Sequence, residues 1–136
     1  MKKNSAILFF LIVIFLISSC ALAANRADSR MDHEIWAGVY SGIIPAADGP
    51  GIDVLLTLNA DKTYELRYSY IDRGEATWVL TGNLRWDAAT RIITLDIDNF
   101  PSYYKVGDQI LTQLDLDRRV ITGELAGNYT LRKISH

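Results

Sequence analysis

The sequence predicts an all-β fold, a small antiparallel β-barrel of about seven to nine strands placed after a signal peptide. Short segments alternate apolar and polar residues with period two, turn-forming residues interrupt them every eight to twelve positions or so, and sustained helical periodicity is missing beyond the amino-terminal apolar run. An antiparallel sheet with one face buried produces that pattern, and closure into a barrel removes the unpaired edges of so many short strands.

In chain order, residues 1–19 read as a signal peptide: Lys2 and Lys3, an unbroken apolar run from Ala6 to Ile17, then Ser18 and Ser19. The run is too short to favour a permanent membrane span. Ile17-Ser18-Ser19-Cys20 resembles a bacterial lipobox, which makes Cys20 the lipidated first residue of the mature chain. Ala21-Leu22-Ala23 offers a second ending, a cut before Ala24 that leaves a soluble periplasmic domain without cysteine. Residues 20–35 are polar and mixed, as a flexible tether would be, and 36–134 form the barrel domain.

Within that domain Trp36 to Ile44 reads as the first strand, and Asp48-Gly49-Pro50-Gly51 as a turn cluster. Ile52, Val54, Leu56 and Leu58 share one face of the second strand, and Asn59 to Lys62 form a hairpin loop. Tyr64, Leu66, Tyr68 and Tyr70 alternate with Glu65, Arg67 and Ser69, so a slip of one residue would turn four large side chains toward water. Trp78, Leu80, Leu84 and Trp86 mark the inward face of the fourth, and Asp87 to Thr90 turn the chain into a fifth, Arg91 to Ile97. Ser102 to Val106, Gln109 to Leu116 and Asn128 to Lys133 follow, with Val120 to Leu125 as an additional strand.

Composition narrows the function classes. Without Lys2 and Lys3 the chain carries 12 basic against 16 acidic residues, a net charge of −4, which lacks the basic surface a general nucleic-acid binder needs. A single cysteine excludes an internal disulfide and any Cys-x-x-Cys site. No nucleophile elbow occurs in the mature chain, and no P-loop or His-Glu-x-x-His motif anywhere, so no catalytic residue is assigned, no cofactor is expected, and the protein is read as a non-enzyme. Asp96, Asp98 and Asp108 read as turn and solubility residues, and Asp115 to Arg119 as a charged hairpin tip. Asn128-Tyr129-Thr130 matches a glycosylation acceptor, a reading that a bacterial lipobox sets aside.

Tyr40 to Ile52, followed by Leu55-Leu56-Thr57-Leu58 and Asp61-Lys62-Thr63-Tyr64, closely resembles the start of NlpE-type copper-resistance lipoproteins. Gly82 to Trp86, Ile93-Thr94-Leu95, Tyr104 to Gly107, Leu114-Asp115, Ile121 to Leu125 and Tyr129-Thr130-Leu131 continue the resemblance in order, over nearly the whole mature chain. The resemblance implies a lipocalin-like barrel, an outer-membrane lipid anchor facing the periplasm, and a role in envelope stress or accessory functions with an envelope protein as partner. Where the family's copper-associated pattern has two cysteines, this chain has Ala46 and Gly49, so copper ligation does not carry over at that motif.

Two other sets of residues remain as candidates. Met31 and His33 offer a thioether and an imidazole as weak metal ligands, with His136 at the far end of the chain. Tyr68 and Trp78 belong to an inward aromatic set that either fills the barrel or lines a pocket for a small apolar ligand. The leading expectation is thus a non-enzymatic accessory or stress-sensing module of the envelope; the alternatives are a lipocalin-like carrier and residual copper binding.

Overall fold

The computed structural model describes residues 32–136, apart from Glu75 and Asn99. The expected signal peptide, Cys20, Met31 and most of the expected tether lie outside the described residues. The barrel unit is Ile35–His136.

Eight strands form one closed antiparallel barrel in which every neighbour in space is a neighbour in sequence, save at the seam between first and last. They are β1 (Gly38–Ile44), β2 (Ile52–Leu58), β3 (Thr63–Tyr70), β4 (Trp78–Asp87), β5 (Ile92–Leu95), β6 (Tyr103–Val106), β7 (Ile110–Gln113) and β8 (Thr130–Ser135). The fold class and the strand number agree with the sequence reading. Inward positions follow the predicted alternation: Val54, Leu56 and Leu58 face Tyr64 and Leu66, and all are buried together with Tyr40, Ile93, Tyr104, Leu111 and Leu131. An eight-stranded barrel is just wide enough for such side chains to fill it.

Short hairpins join the strands at one end. In each of these loops a non-glycine residue takes a left-handed conformation: Lys62, Arg91 and Gln109 have φ of 67°, 57° and 55°. Aspartate supports two of the three turns by accepting backbone N–H groups, Asp61 from Thr63 and Asp87 from Ala89 and Thr90. This also moves two strand starts, because Arg91 and Gln109 belong to the turns rather than to the strands they were expected to open.

Two further boundaries differ from expectation. Residues 32–36 are helical, so β1 begins at Gly38 and not at Trp36. Trp36 instead closes the hairpin end of the barrel: it is 1% exposed, its ring centroid lies 6.4 Å from that of Trp86, and its carbonyl accepts the Tyr40 hydroxyl at 2.9 Å. Val120 to Leu125 is not a strand. Only an isolated bridge joins Leu114 to Val120, after which Ala126 N–H donates to Gly123 and Asn128 N–H to Leu125, winding the segment into a 3-10 turn at Ala126–Asn128.

β4 changes partner part-way along. Trp78–Asn83 pair with β3, whereas Leu84–Asp87 pair with β5. Asp96 bridges the change: its carboxylate accepts the Asn83 N–H at 2.7 Å, and its own N–H donates to the Asn83 carbonyl at 3.0 Å. Gly82 makes room for this, because a Cβ there would meet the Asp96 carboxylate and stand 3.0 Å from the Tyr64 ring and hydroxyl.

Candidate functional site

The longer connections, 45–51, 71–77, 96–102 and 114–129, all lie at the end opposite the short hairpins and Trp36. This mouth is where the sequence departs from a plain filled barrel. Tyr68 and Tyr70 end β3 and Trp78 begins β4, so the 71–77 connection brings them into register as cross-strand neighbours, Tyr68 directly opposite Trp78. The Tyr68 ring lies nearly parallel to Trp78, centroids 5.5 Å apart at 17°, and also approaches Phe100, tilted at 36° with centroids 4.7 Å apart. Tyr70 meets Trp78 edge-on at 5.8 Å. The two residues expected to line an apolar pocket are therefore together, packed against each other and Phe100, with Trp78 still 41% exposed.

Charge holds the neighbouring loops. Arg73 forms an ion pair with Asp48 at 2.5 Å and sits 4.8 Å from the Tyr70 ring centroid, tying the 71–77 connection to the 45–51 loop. Gly49 in that loop has φ of 107°, a conformation that side-chain-bearing residues rarely adopt, and a Cβ there would come within 2.6 Å of the Asp72 carboxylate, which would have to swing aside. Ala46 and Gly49 border a cavity of about 390 Å³ with Ile43, Pro45, Pro50 and Leu125. Its lining offers no thiol, imidazole or carboxylate. His33 lies in the helical residues 32–36, Met31 is not described, and no group of three His, Cys, Asp or Glu suited to a metal occurs among the described residues.

Several buried polar groups were not foreseen. Tyr104 and Gln113 oppose each other across β6 and β7, and both the Tyr104 hydroxyl and Gln113 Oε1 are buried without a hydrogen-bond partner among the described residues. Burial pushes the Tyr104 hydroxyl well above the usual tyrosine range, with Tyr64 adding to the effect. Tyr64 is raised too, first by burial and then by the Asp96 carboxylate that its hydroxyl faces. A period-two pattern marks these positions as inward but is silent on whether their polar atoms find partners.

Comparison with known proteins places this barrel. The profile of the family described as NlpE N-terminal domain matches residues 40–124, more than half of the chain.

The chain belongs to the NlpE family.

A lipoprotein assignment recurs among its relatives. The 17 kDa lipoprotein of Treponema pallidum is 31% identical over 67 residues, covering 49% of this chain; the match spans 43% of that protein, less than half its length. A crystal structure of a chain assigned as a lipoprotein from Shewanella oneidensis superposes with a TM-score of 0.66 at 40% identity, covering 72% of this chain and 88% of that one. The Cpx pathway activator NlpE from Escherichia coli superposes with a TM-score of 0.54 at 23% identity, over 64% of this chain and 46% of that one, a likeness of fold. The NlpE match begins at Tyr40 and takes in the 45–51 loop, which carries Ala46 and Gly49.

Proposed function

We propose that this NlpE-family protein is an outer-membrane lipoprotein, anchored through Cys20 with its barrel in the periplasm, and that it works without catalysis as an accessory or stress-sensing module of the envelope. The observation that carries the reading is the division of labour within the barrel. Interior positions are taken by large side chains at 0–4% exposure, from Tyr40, Leu56 and Leu66 to Tyr104 and Leu131, which makes the interior a support. Most of the exposed apolar side chains lie instead toward the mouth, among them Ile43 at 56% exposure, Ile71 at 48%, Trp78 at 41% and Leu125 at 55%, while Ile35 and Ile134 are exposed at the closed end. Exposed apolar groups gathered on the strand ends and loops of one end of a rigid scaffold suit recognition of another envelope protein.

The test is made in cells with an envelope-stress reporter. Cys20→Ala, which removes the anchor, and Ile71→Asp, which charges the mouth, are each expected to change the reporter response at unchanged protein level. Denaturing mass spectrometry on the wild type is expected to give a chain that starts at Cys20 with acyl groups. Reporter output equal to the wild type in both variants, or a mature chain starting at Ala24 without lipid, would overturn the reading.

A further inference from the structure

At the mouth the ladders of the barrel leave one strand edge without a partner. Hydrogen bonds in an antiparallel ladder use every second residue of a strand, and the residues between point their N–H and C=O groups the other way. Leu84 N–H donates to the Lys62 carbonyl at 2.8 Å, which sets the phase: Trp78, Leu80 and Gly82 bond to β3, while Val79, Thr81 and Asn83 point toward β5. Asp96 keeps the same phase from the other side, its N–H reaching the Asn83 carbonyl at 3.0 Å. Beyond Asn83 the ladder with β5 stops, because pairing runs only from Leu84 to Asp87 and the chain then returns to β6, Leu95 N–H donating to the Ser102 carbonyl at 2.8 Å. Among the described residues no backbone partner faces Val79 or Thr81.

The sequence of the strand does not guard this edge. Natural sheets blunt an open edge with charged residues, proline or a bulge. Trp78–Gly82 carries no charge and no proline, and its register with β3 runs unbroken. Val79 is 51% exposed and Trp78 41%, so a second chain has access. The gap is also short, since Asp96 fills the place opposite Asn83 and only the positions from Trp78 to Gly82 are open. The β4 edges of two copies, paired antiparallel about Leu80, would set Thr77 of one opposite Asn83 of the other, where Asp96 already lies; a short extended segment avoids this.

We propose that the free edge of β4 takes up a short extended segment of a partner protein as an added strand, with Val79 and Thr81 supplying the backbone bonds. Open donors and acceptors at alternate residues are matched by an extended chain and not by a helix or a small molecule. Side chains of the added segment alternate too. One set falls beside Val79 and Thr81 on the outer face and the other beside Trp78 and Leu80, so uncharged β-branched and apolar residues fit both. The inference deepens the partner-recognition reading above by naming the form of the partner, and rests on it only in taking that partner to be an envelope protein.

Two measurements on the full processed protein in detergent test it, with protein-free detergent as blank. In amide hydrogen exchange followed by two-dimensional NMR, Val79 and Thr81 are expected to exchange freely while Leu80 and Gly82, bonded to β3, are protected. The peptide acetyl-Lys-Val-Thr-Val-Thr-Lys-amide is then titrated beside an analogue N-methylated at its Val and Thr residues, which keeps the side chains but has lost the donors that pair. Saturable shifts at Val79 and Thr81, with new exchange protection of both amides, are expected for the first peptide and not for the second. Thr81→Pro removes an edge donor but no β3 bond and is expected to weaken binding about tenfold; Val79→Pro makes the same test if that variant loses its dispersed spectrum. Four results would each overturn the proposal: Val79 and Thr81 as protected as Leu80 before peptide is added, no saturable binding, equal binding of the methylated peptide, or unchanged affinity in a folded proline variant. So would a concentration-dependent dimer that protects the same two amides. The reporter response to Ile71→Asp does not involve this edge, so either reading can fail alone.

Discussion

Removing one oxygen atom at the closed end of the barrel should be felt throughout the domain. Tyr40 donates its hydroxyl to the Trp36 carbonyl at 2.9 Å, and both residues are 1% exposed, so water cannot replace the bond when Tyr40→Phe deletes it. A buried acceptor stripped of its donor costs about 1–3 kcal/mol; taking about 1.5 kcal/mol, and about 4–8 °C per kcal/mol for a domain of this size, the melting temperature at pH 7 should fall by roughly 6–12 °C. The deficit should also depend on pH. Burial pushes the Tyr40 hydroxyl from 10.0 up to about 12, so the folded state holds that proton more tightly than the unfolded chain. The stability it contributes is complete below pH 10 and is lost as the pH rises through 12, whereas phenylalanine has nothing to titrate. The gap between wild type and Tyr40→Phe should therefore narrow from pH 10 to pH 12, while Tyr64 and Tyr104, raised in the same direction, keep an alkaline decline in both proteins. Thermal unfolding followed by tryptophan fluorescence across this range measures both effects. A melting point within about 1 °C of wild type at pH 7, or a gap constant to pH 12, would refute the reasoning.

Leu66 is 0% exposed at the centre of β3, and Leu66→Ala should cost about 2–5 kcal/mol in urea unfolding, whereas Leu116→Ala, at a position 86% exposed, should stay within about 0.5 kcal/mol. Introducing cysteines into the 45–51 loop should be uneven: Ala46→Cys is expected to be nearly neutral, but Gly49→Cys forces a side chain into a left-handed backbone against Asp72 and should destabilise by about 1–3 kcal/mol, read from the same denaturation curves. Because the Asp48–Arg73 pair is exposed, at 76% and 49% of the two side chains, Arg73→Ala should cost less than about 1 kcal/mol, and the cost should shrink in about 1 M salt.

The repeating part of the fold was legible and the exceptions to the repeat were not. Alternation in Ile52–Leu58 and Thr63–Tyr70 placed the inward faces correctly, because burial of one face leaves a period-two record in the residues themselves. Trp36 was misread as strand since an apolar aromatic beside a strand looks the same whether it extends the ladder or caps the barrel; the Tyr40 hydroxyl that fixes its carbonyl is a tertiary contact. The segment after Leu114 has apolar residues at suitable spacing, but bonds three residues apart wind it up before a ladder can form. At the mouth, Tyr68 and Trp78 could be singled out, yet their stacking depends on register across the 71–77 connection. Gln113 left no signal at all, because an unpaired amide oxygen is defined by what surrounds it and not by its place in the pattern.

The strand order has a consequence for how the chain assembles. Every ladder but one joins consecutive strands, so hairpin can be added to hairpin with only short loops to close, and the entropy of bringing distant residues together is concentrated in a single late event, the meeting of β1 and β8. That seam carries a register shift between Val39 and Tyr40, beside the residue whose hydroxyl fastens Trp36. A chain rejoined across β1 and β8 and reopened in the loop at residues 88–91 would make that closure local and hand the long-range one to β4 and β5, so it should reach the same barrel by closing at a different seam.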